Sequence, residues 1–244
     1  SAVVAAGDLD VVFPVLHGPY GEDGTVQGLL ELVNVPYVGA GVLGSAVGMD
    51  KAVMKVLFAS RNLPIVPYVV AMRHEWERHR SSVATRVGRE LTYPVFVKPA
   101  NLGSSVGISK VKAAADLAAA MDLALQFDRK IVIEAGVPSA REIECAVLGN
   151  DAPEASVPGE VVPAGEFYDY EAKYLDEGSR LLIPAPLTPG QIEEVQRLSL
   201  DAFRAVDGAG MCRVDFLMAR ETGALYLNEV NTIPGFTTGT SKPY

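Results

Sequence analysis

Residues 210–236, GMCRVDFLMARETGALYLNEVNTIPGF, contain two strand-forming runs very close together. CRVDFLMA and ALYLNEVN are rich in β-formers. Glu221-Thr222-Gly223 lies between them, a short hairpin connection in which Gly supplies the left-handed residue. Side chains alternate across a strand, so Arg213 and Asp215 share one face, as do Glu229 and Asn231. If Arg220 pairs with Ala224, Asp215 falls opposite Glu229 and Arg213 opposite Asn231. Like charges directly opposite each other are destabilising, so this register calls for a cation. Two carboxylates and an amide oxygen are hard ligands suited to Mg²⁺ beside phosphate oxygens. The same spacing also suits a solvated strand face with one Arg–Asp pair.

Composition narrows the partners. The 244 residues are 49% hydrophobic and 21% charged, enough for one large or two modest domains with ample core. A net charge of −9 with no basic, aromatic-interleaved cluster argues against nucleic acid. Cys145 and Cys212 sit in apolar strand-like runs and read as buried thiols of a reducing, cytoplasmic compartment. No Cys/His spacing points to zinc. No run approaches the roughly 18 apolar residues of a membrane span, and no signal peptide is evident. The first residue is not Met, and we expect the ends of the longer chain to be missing.

The remaining elements follow in order. LDVVFPVLHG (9–18) reads as a buried strand running into the Gly-rich loop HGPYGEDGT, where His17 and Glu22 are candidate ligand contacts. Gly39-x-Gly41-x-x-Gly44 matches a dinucleotide fingerprint, but the acidic residue expected about 20 positions on is absent, so it is read as a decoy. Lys51 at the head of the next helix opposes the helix dipole, which suits a phosphate contact. Residues 63–71 read as a strand and 73–91 as a solvated helix. YPVFVKPA (93–100) is a buried strand whose single charge, Lys98, needs an anion. NLGSSVG (101–107) is a small-residue loop that can cradle phosphate, though it is not a Walker loop; a plain hairpin turn would look the same. A helix over 113–127 and a strand over 130–137 ending at Glu134 come next. In REIECAVLGN (141–150) Glu142 and Glu144 share a face. Residues 167–179 are long for a connection and suit a lid. Thr188-Pro189-x-Gln191 is a capping box opening a helix.

HGPYGEDGTVQG, PYVGAGVLGSAVGMDK, FVKPANLGSSVG, FYDYEAKY, RVDF and NEVNTIPGFT occur in that order. Together they resemble the D-alanine–D-alanine ligase family over nearly all of residues 9–238. The resemblance implies an α+β ATP-grasp fold, two lobes enclosing ATP, after a remnant of an N-terminal Rossmann-like domain. It places that remnant at residues 1–47, the central lobe at 48–140 and the C-terminal lobe at 141–244. It implies ATP-dependent joining of two D-alanines through a D-alanyl phosphate, for peptidoglycan synthesis. A D-alanine–D-lactate ligase or another ATP-grasp carboxylate–amine ligase is the alternative, and the Lys-Tyr pair of EAKY argues for the dipeptide.

The resemblance also assigns roles. Lys51 and Lys98 would contact phosphates, Ser104 and Ser105 would cover them, and Lys173 in the lid would reach the γ-phosphate. Glu134 would meet adenine and Glu142 ribose, with Val137 and Phe167 completing the nucleotide set. Family members often carry Lys or Arg where this chain has Ala135. Tyr174 would join Ser104 near the first substrate, with His17 on the substrate side. Arg213 and the backbone of Gly235 would steady the tetrahedral centre. The second substrate's carboxylate would be held at Thr240 by spacing or Ser241 by residue type. Asp215, Glu229 and Asn231 would hold two Mg²⁺, with Mn²⁺ as a substitute and room for a monovalent cation. The implied partners are D-alanine and ATP, with neither nucleic acid nor membrane, and a homodimer in the full-length protein. The chain shows no counterpart of the family's Glu-His-Glu-Val-Ser-like segment, so it is expected to bind ATP–Mg²⁺ and turn over slowly.

Overall fold

Alternation of side chains sorts both sheets of this protein into an apolar face under helices and a charged face turned the other way. The computed structural model describes residues 9–103, 106–163 and 180–234. The chain enters through three short helices, α1 (Thr25–Leu32), α2 (Val42–Met49) and α3 (Lys51–Ser60). A four-stranded antiparallel sheet follows. It comprises β1 (Tyr68–Met72), β2 (Val95–Pro99), β3 (Ser109–Val111) and β4 (Lys130–Ala135), in the order β1-β4-β2-β3. The helices α4 (Arg73–Glu90) and α5 (Leu117–Ala124) cover one face of it. Val95 and Val97 of β2, with Ile131 and Ile133 of β4, pack there against Trp76, Val87 and Met121. Phe96, Lys98, Val132 and Glu134 therefore take the opposite face.

The larger sheet repeats this logic. It is formed by β5 (Ala140–Gly149), β6 (Glu154–Ala155), β7 (Gly159–Val162), β8 (Arg180–Leu182), β9 (Gly210–Ala219) and β10 (Leu225–Asn231). The order is β10-β9-β5-β7-β8, with β6 also on β5, and every pairing is antiparallel. The covering helix, α6 (Pro189–Ala205), opens with the expected capping box. The Thr188 N–H donates to Gln191 Oε1 at 3.0 Å, and the Gln191 N–H donates back to Thr188 Oγ1 at 3.4 Å. Val195, Leu198 and Phe203 of α6 bury Ile143, Cys145, Val214 and Phe216. Glu142, Glu144, Arg213 and Asp215 are left on the other face.

Helix α3 ties the two sheets together. Asp50 caps it, accepting from Ala52 N–H and Val53 N–H at 3.1 Å each, and also pairs with Lys130 of β4. The Lys51 N–H donates to Ala100 O at 2.9 Å, just past β2. The body of the helix nevertheless packs into the other core, because Met54 and Phe58 join the α6 cluster with no exposed surface. The helix thus packs against both sheets.

One expected element is absent. Residues 9–18 are not a buried strand: only Val12 forms a bridge, parallel to Tyr37, and Val11, Phe13, Val15 and Leu16 are exposed. Pro14 has no N–H for a ladder, and the N–H groups of Val15 and Leu16 turn back onto Phe13 O and Pro14 O. The last of the fingerprint glycines has a packing explanation. A Cβ on Gly44 would lie 2.5 Å from Asp207 O, so Gly44 lets α2 approach the end of α6 closely.

Candidate active site

The β9–β10 hairpin has the register that brings the carboxylates together. Asp215 lies opposite Glu229 and Arg213 opposite Asn231. The route to that register differs from expectation at two points. The turn pairs Ala219 with Ala224, the Ala219 N–H donating to Ala224 O at 2.8 Å, so the loop is one residue longer than expected. Leu225, Tyr226 and Leu227 then oppose Met218, Leu217 and Phe216, one residue out of the expected register. A bulge between Leu227 and Glu229 absorbs Asn228 and restores it. Without the bulge, alternation from the buried Leu225 and Leu227 would send Glu229 into the core.

Positive charge compensates the opposed carboxylates. Arg213 grips Asp215 with two charge-assisted bonds, Nε to Oδ1 at 2.6 Å and Nη2 to Oδ2 at 2.7 Å. Asn231 Nδ2 donates to Asp215 Oδ2 at 2.9 Å. Glu144, beside Asp215 on β5, lies 3.6 Å from Arg213 Nε. Lys51 Nζ lies 3.3 Å from Glu229 Oε2 and donates to Leu102 O at 2.8 Å. The Arg–Asp pair of the plainer reading is therefore real, but the face is not solvated, since both side chains are mostly buried. The carboxylate oxygens of Asp215 and Glu229 are hard donors that suit a cation, and they converge where the protein already places guanidinium and ammonium groups and the Asn231 amide nitrogen. Among the described residues no group of three or more His, Cys, Asp or Glu is arranged to hold a metal.

Lys98 faces this hairpin from the smaller sheet. Its Nζ lies 2.6 Å from Glu134 Oε2 and 3.4 Å from Asn228 Oδ1, so it connects one sheet to the other at the bulge. Lys55 Nζ takes the second Glu134 oxygen at 3.1 Å. Burial would raise the Glu134 pKa, but Lys55 and Lys98 outweigh it and hold the carboxyl at about 2. Burial works against the Lys98 charge too, and Glu134, Glu229 and Glu142 overcome it and push its pKa up. The Glu134 carboxylate assigned to adenine by resemblance is thus gripped between two lysines. Lys55 went unnoticed in the sequence. The available signal was its spacing, four residues after Lys51 and so on the same helix face.

The loop after residue 17 also reaches the site. Gly18 N–H donates to the Glu22 carboxylate. Burial first, and then the Glu229 charge, raise the Glu22 pKa to about 7 against the opposing pull of that hydrogen bond, Arg213 and Lys51. His17, in contrast, is exposed. Glu142 takes its place on the inner face of β5, and Val137 follows β4 in a loop. Ser104, Ser105, Phe167, Lys173, Tyr174, Gly235, Thr240 and Ser241 lie outside the described residues.

Two antiparallel sheets with helices outside and charged faces inward, spanned by lysines of one unit reaching polar groups of the other, define the ATP-grasp class. The D-ala D-ala ligase C-terminus model matches residues 57–243, and the corresponding N-terminus model matches residues 2–40. The chain belongs to the D-alanine–D-alanine ligase family. It is 58% identical to a D-alanine–D-alanine ligase of Heliobacterium modesticaldum over 96% of its own length and 64% of the relative's. For that of Geobacillus kaustophilus the identity is 57%, covering 94% and 62%. Among solved structures, the D-alanine–D-alanine ligase from Coxiella burnetii superposes with a TM-score of 0.80 at 37% identity, covering 93% of this chain and 60% of that one. The VanG D-Ala:D-Ser ligase from Enterococcus faecalis superposes at 0.84 with 36% identity, covering 93% and 65%. The chain thus spans less than two thirds of the length of these relatives.

Proposed function

We propose that this chain carries the nucleotide and metal site of an ATP-dependent ligase that joins two D-alanines for peptidoglycan synthesis. The observation that carries this reading is the Asp215–Glu229 register with Lys51 and Lys98 converging on it. The carboxylate of one D-alanine takes the γ-phosphoryl group of ATP and ADP leaves. The amine of a second D-alanine, having lost a proton, attacks the acyl carbon, and phosphate leaves. Each step brings anions together, so the site must offset charge before it can react.

Lys51 and Lys98 supply that offset at the phosphates, with Ser104, Ser105 and Lys173 closing over them. Asp215, Glu229 and Asn231 are the residues that would hold two Mg²⁺, which supply further neutralisation of phosphate charge when bound; Mn²⁺ would replace Mg²⁺ in the same oxygen set. Arg213 steadies the charge that develops at the acyl centre, together with the backbone of Gly235. The family resemblance assigns Tyr174 and Ser104 to the first substrate, with His17, and gives the second carboxylate to Thr240 or Ser241. Adenosine is held by Val137, Phe167 and Glu142, with Glu134 alongside. Residues 167–179 serve as the lid that shields the acyl phosphate from water. We assign residues 48–140 and 141–244 to the two lobes, after an N-terminal portion at 1–47.

The enzyme is proposed to be cytoplasmic and homodimeric, with small-molecule substrates only and room for an activating monovalent cation. The buried free thiols Cys145 and Cys212 support a reducing compartment. No helix among the described residues is long and apolar enough to cross a membrane.

Phosphate release from ATP and Mg²⁺ tests the reaction, with D-alanine alone or with D-lactate or D-serine added. D-alanine-dependent release with D-alanyl-D-alanine as product is expected, and dependence on D-alanine rather than absolute rate is the criterion. Preference for D-lactate or D-serine at neutral pH would overturn the dipeptide assignment.

A further inference from the structure

Lys55 has no surface exposed, and burial pulls its pKa down while the Glu134 carboxylate pulls it up. A buried ammonium is costly unless paired, and its partner, Glu134, already has Lys98 on its other oxygen. Two lysines therefore share one carboxylate, at 3.1 Å and 2.6 Å. With both lysines protonated, the three groups sum to one positive charge. Geometry decides where that surplus is useful. Lys55 is sealed under α3, whereas Lys98 extends to Asn228 on the hairpin side.

We propose that Lys55 is a positioning residue for ATP: by neutralising Glu134 from behind, it leaves the Lys98 ammonium available to the nucleotide phosphates. This rests on the reading of Lys98 as a phosphate contact. Without Lys55, Glu134 and Lys98 form a neutral pair, and a phosphate must compete with a buried carboxylate for the same ammonium. Helix α3 then makes two contributions from one face. Lys51 reaches the Glu229 side directly, and Lys55, one turn on, acts through Glu134.

A double-mutant cycle read by Mg²⁺–ATP titration of the folded protein tests this. Lys98→Met is the control for the underlying reading: if it leaves ATP affinity unchanged, the phosphate role of Lys98 fails, separately from the present proposal. With that control satisfied, Lys55→Met should weaken ATP by about tenfold or more, the scale of one unit charge removed near a phosphate in a partly dry site. In a Glu134→Gln background the same substitution should change affinity less than about twofold, because no carboxylate remains to capture Lys98. A structural role alone would lower Tm in Lys55→Met without this dependence of ATP affinity on the Glu134 charge. Equal losses in both backgrounds, or no loss in either, would overturn the proposal. Lys55→Arg keeps the charge and covers the case in which Lys55→Met does not fold. Its affinity should stay within about threefold of the original, and a tenfold loss would count against the proposal.

Discussion

Replacing Glu229 by Gln separates what the hairpin does for the fold from what it does for the nucleotide. In the structure Glu229 stands directly opposite Asp215 and lies 3.3 Å from Lys51. The substitution loses that ion pair but also relieves a cross-strand repulsion, and each effect is worth roughly 1 kcal/mol or less in this half-buried setting. The nucleotide-free protein should therefore shift by no more than about 2–4 °C in Tm, in either direction. The ligand-bound protein should respond differently. Mg²⁺–ATP at about 100 times its Kd stabilises the original chain by about 2.7 kcal/mol, or roughly 5–11 °C for a chain of this size. If loss of the carboxylate weakens binding about 100-fold, the same concentration stabilises the variant by only about 0.4 kcal/mol, roughly 1 °C. Thermal unfolding with and without Mg²⁺–ATP reads both quantities. A variant that keeps the full ligand-induced shift would refute the metal-site reasoning. A large fall in Tm without ligand would show that Glu229 is chiefly structural.

Three further outcomes follow from particular contacts. Gly44→Ala should destabilise the protein by about 1–2 kcal/mol in a denaturant titration, despite the better helix propensity of Ala, because its Cβ meets the Asp207 carbonyl oxygen at 2.5 Å. It should leave ATP affinity intact; a loss of ATP binding without a loss of stability would revive the dinucleotide reading of the fingerprint. The raised Glu22 pKa of about 7 favours the protonated form in the folded state. Its contribution to stability is therefore fully present below about pH 4.5 and lost as pH rises through 7, by about 2 kcal/mol after allowing for partial exposure. Glu22→Gln should flatten that part of the stability–pH profile in the metal-free protein, and an unchanged profile would contradict the burial argument. The depressed Glu134 acts in the opposite sense: its stabilisation is present above about pH 4.5 and lost as pH falls towards 2, so Glu134→Gln should blunt acid unfolding in that window.

How far the sequence reached depended on whether a feature was local. The hairpin, the Thr188 capping box, the inward position of Lys98 and the shared face of Glu142 and Glu144 follow from period-two alternation and turn chemistry, so they are legible. The bulge at Asn228 is not. Two local misreadings, a loop one residue too short and a strand without a bulge, cancelled at Asp215 and Glu229. The partners that favour the irregularity are remote: the Leu227 N–H donates to Pro64 O at 2.7 Å, and the Val230 N–H to Met54 Sδ at 3.3 Å. Both acceptors come from α3 and the loop after it, far along the chain from β10. The run over residues 9–18 failed for a related reason. Its apolar character reads as burial, but burial requires a neighbouring ladder, and Val12 alone finds one. Lys55 was hidden by its simplicity: a lysine on an amphipathic helix reads as solvated until the sheet beneath it supplies Glu134.

The central claim is that the facing charged surfaces of the two sheets bind a metal–nucleotide complex. A crystal structure with ADP and Mn²⁺, collected for anomalous scattering, tests it most directly. The account expects Mn²⁺ peaks bonded to Asp215, Glu229 and Asn231, the Arg213–Asp215 bidentate pair opened, and phosphate oxygens within reach of Lys51 and Lys98. Nucleotide bound elsewhere, or Mn²⁺ absent from the hairpin with the Arg213–Asp215 pair intact, would contradict it.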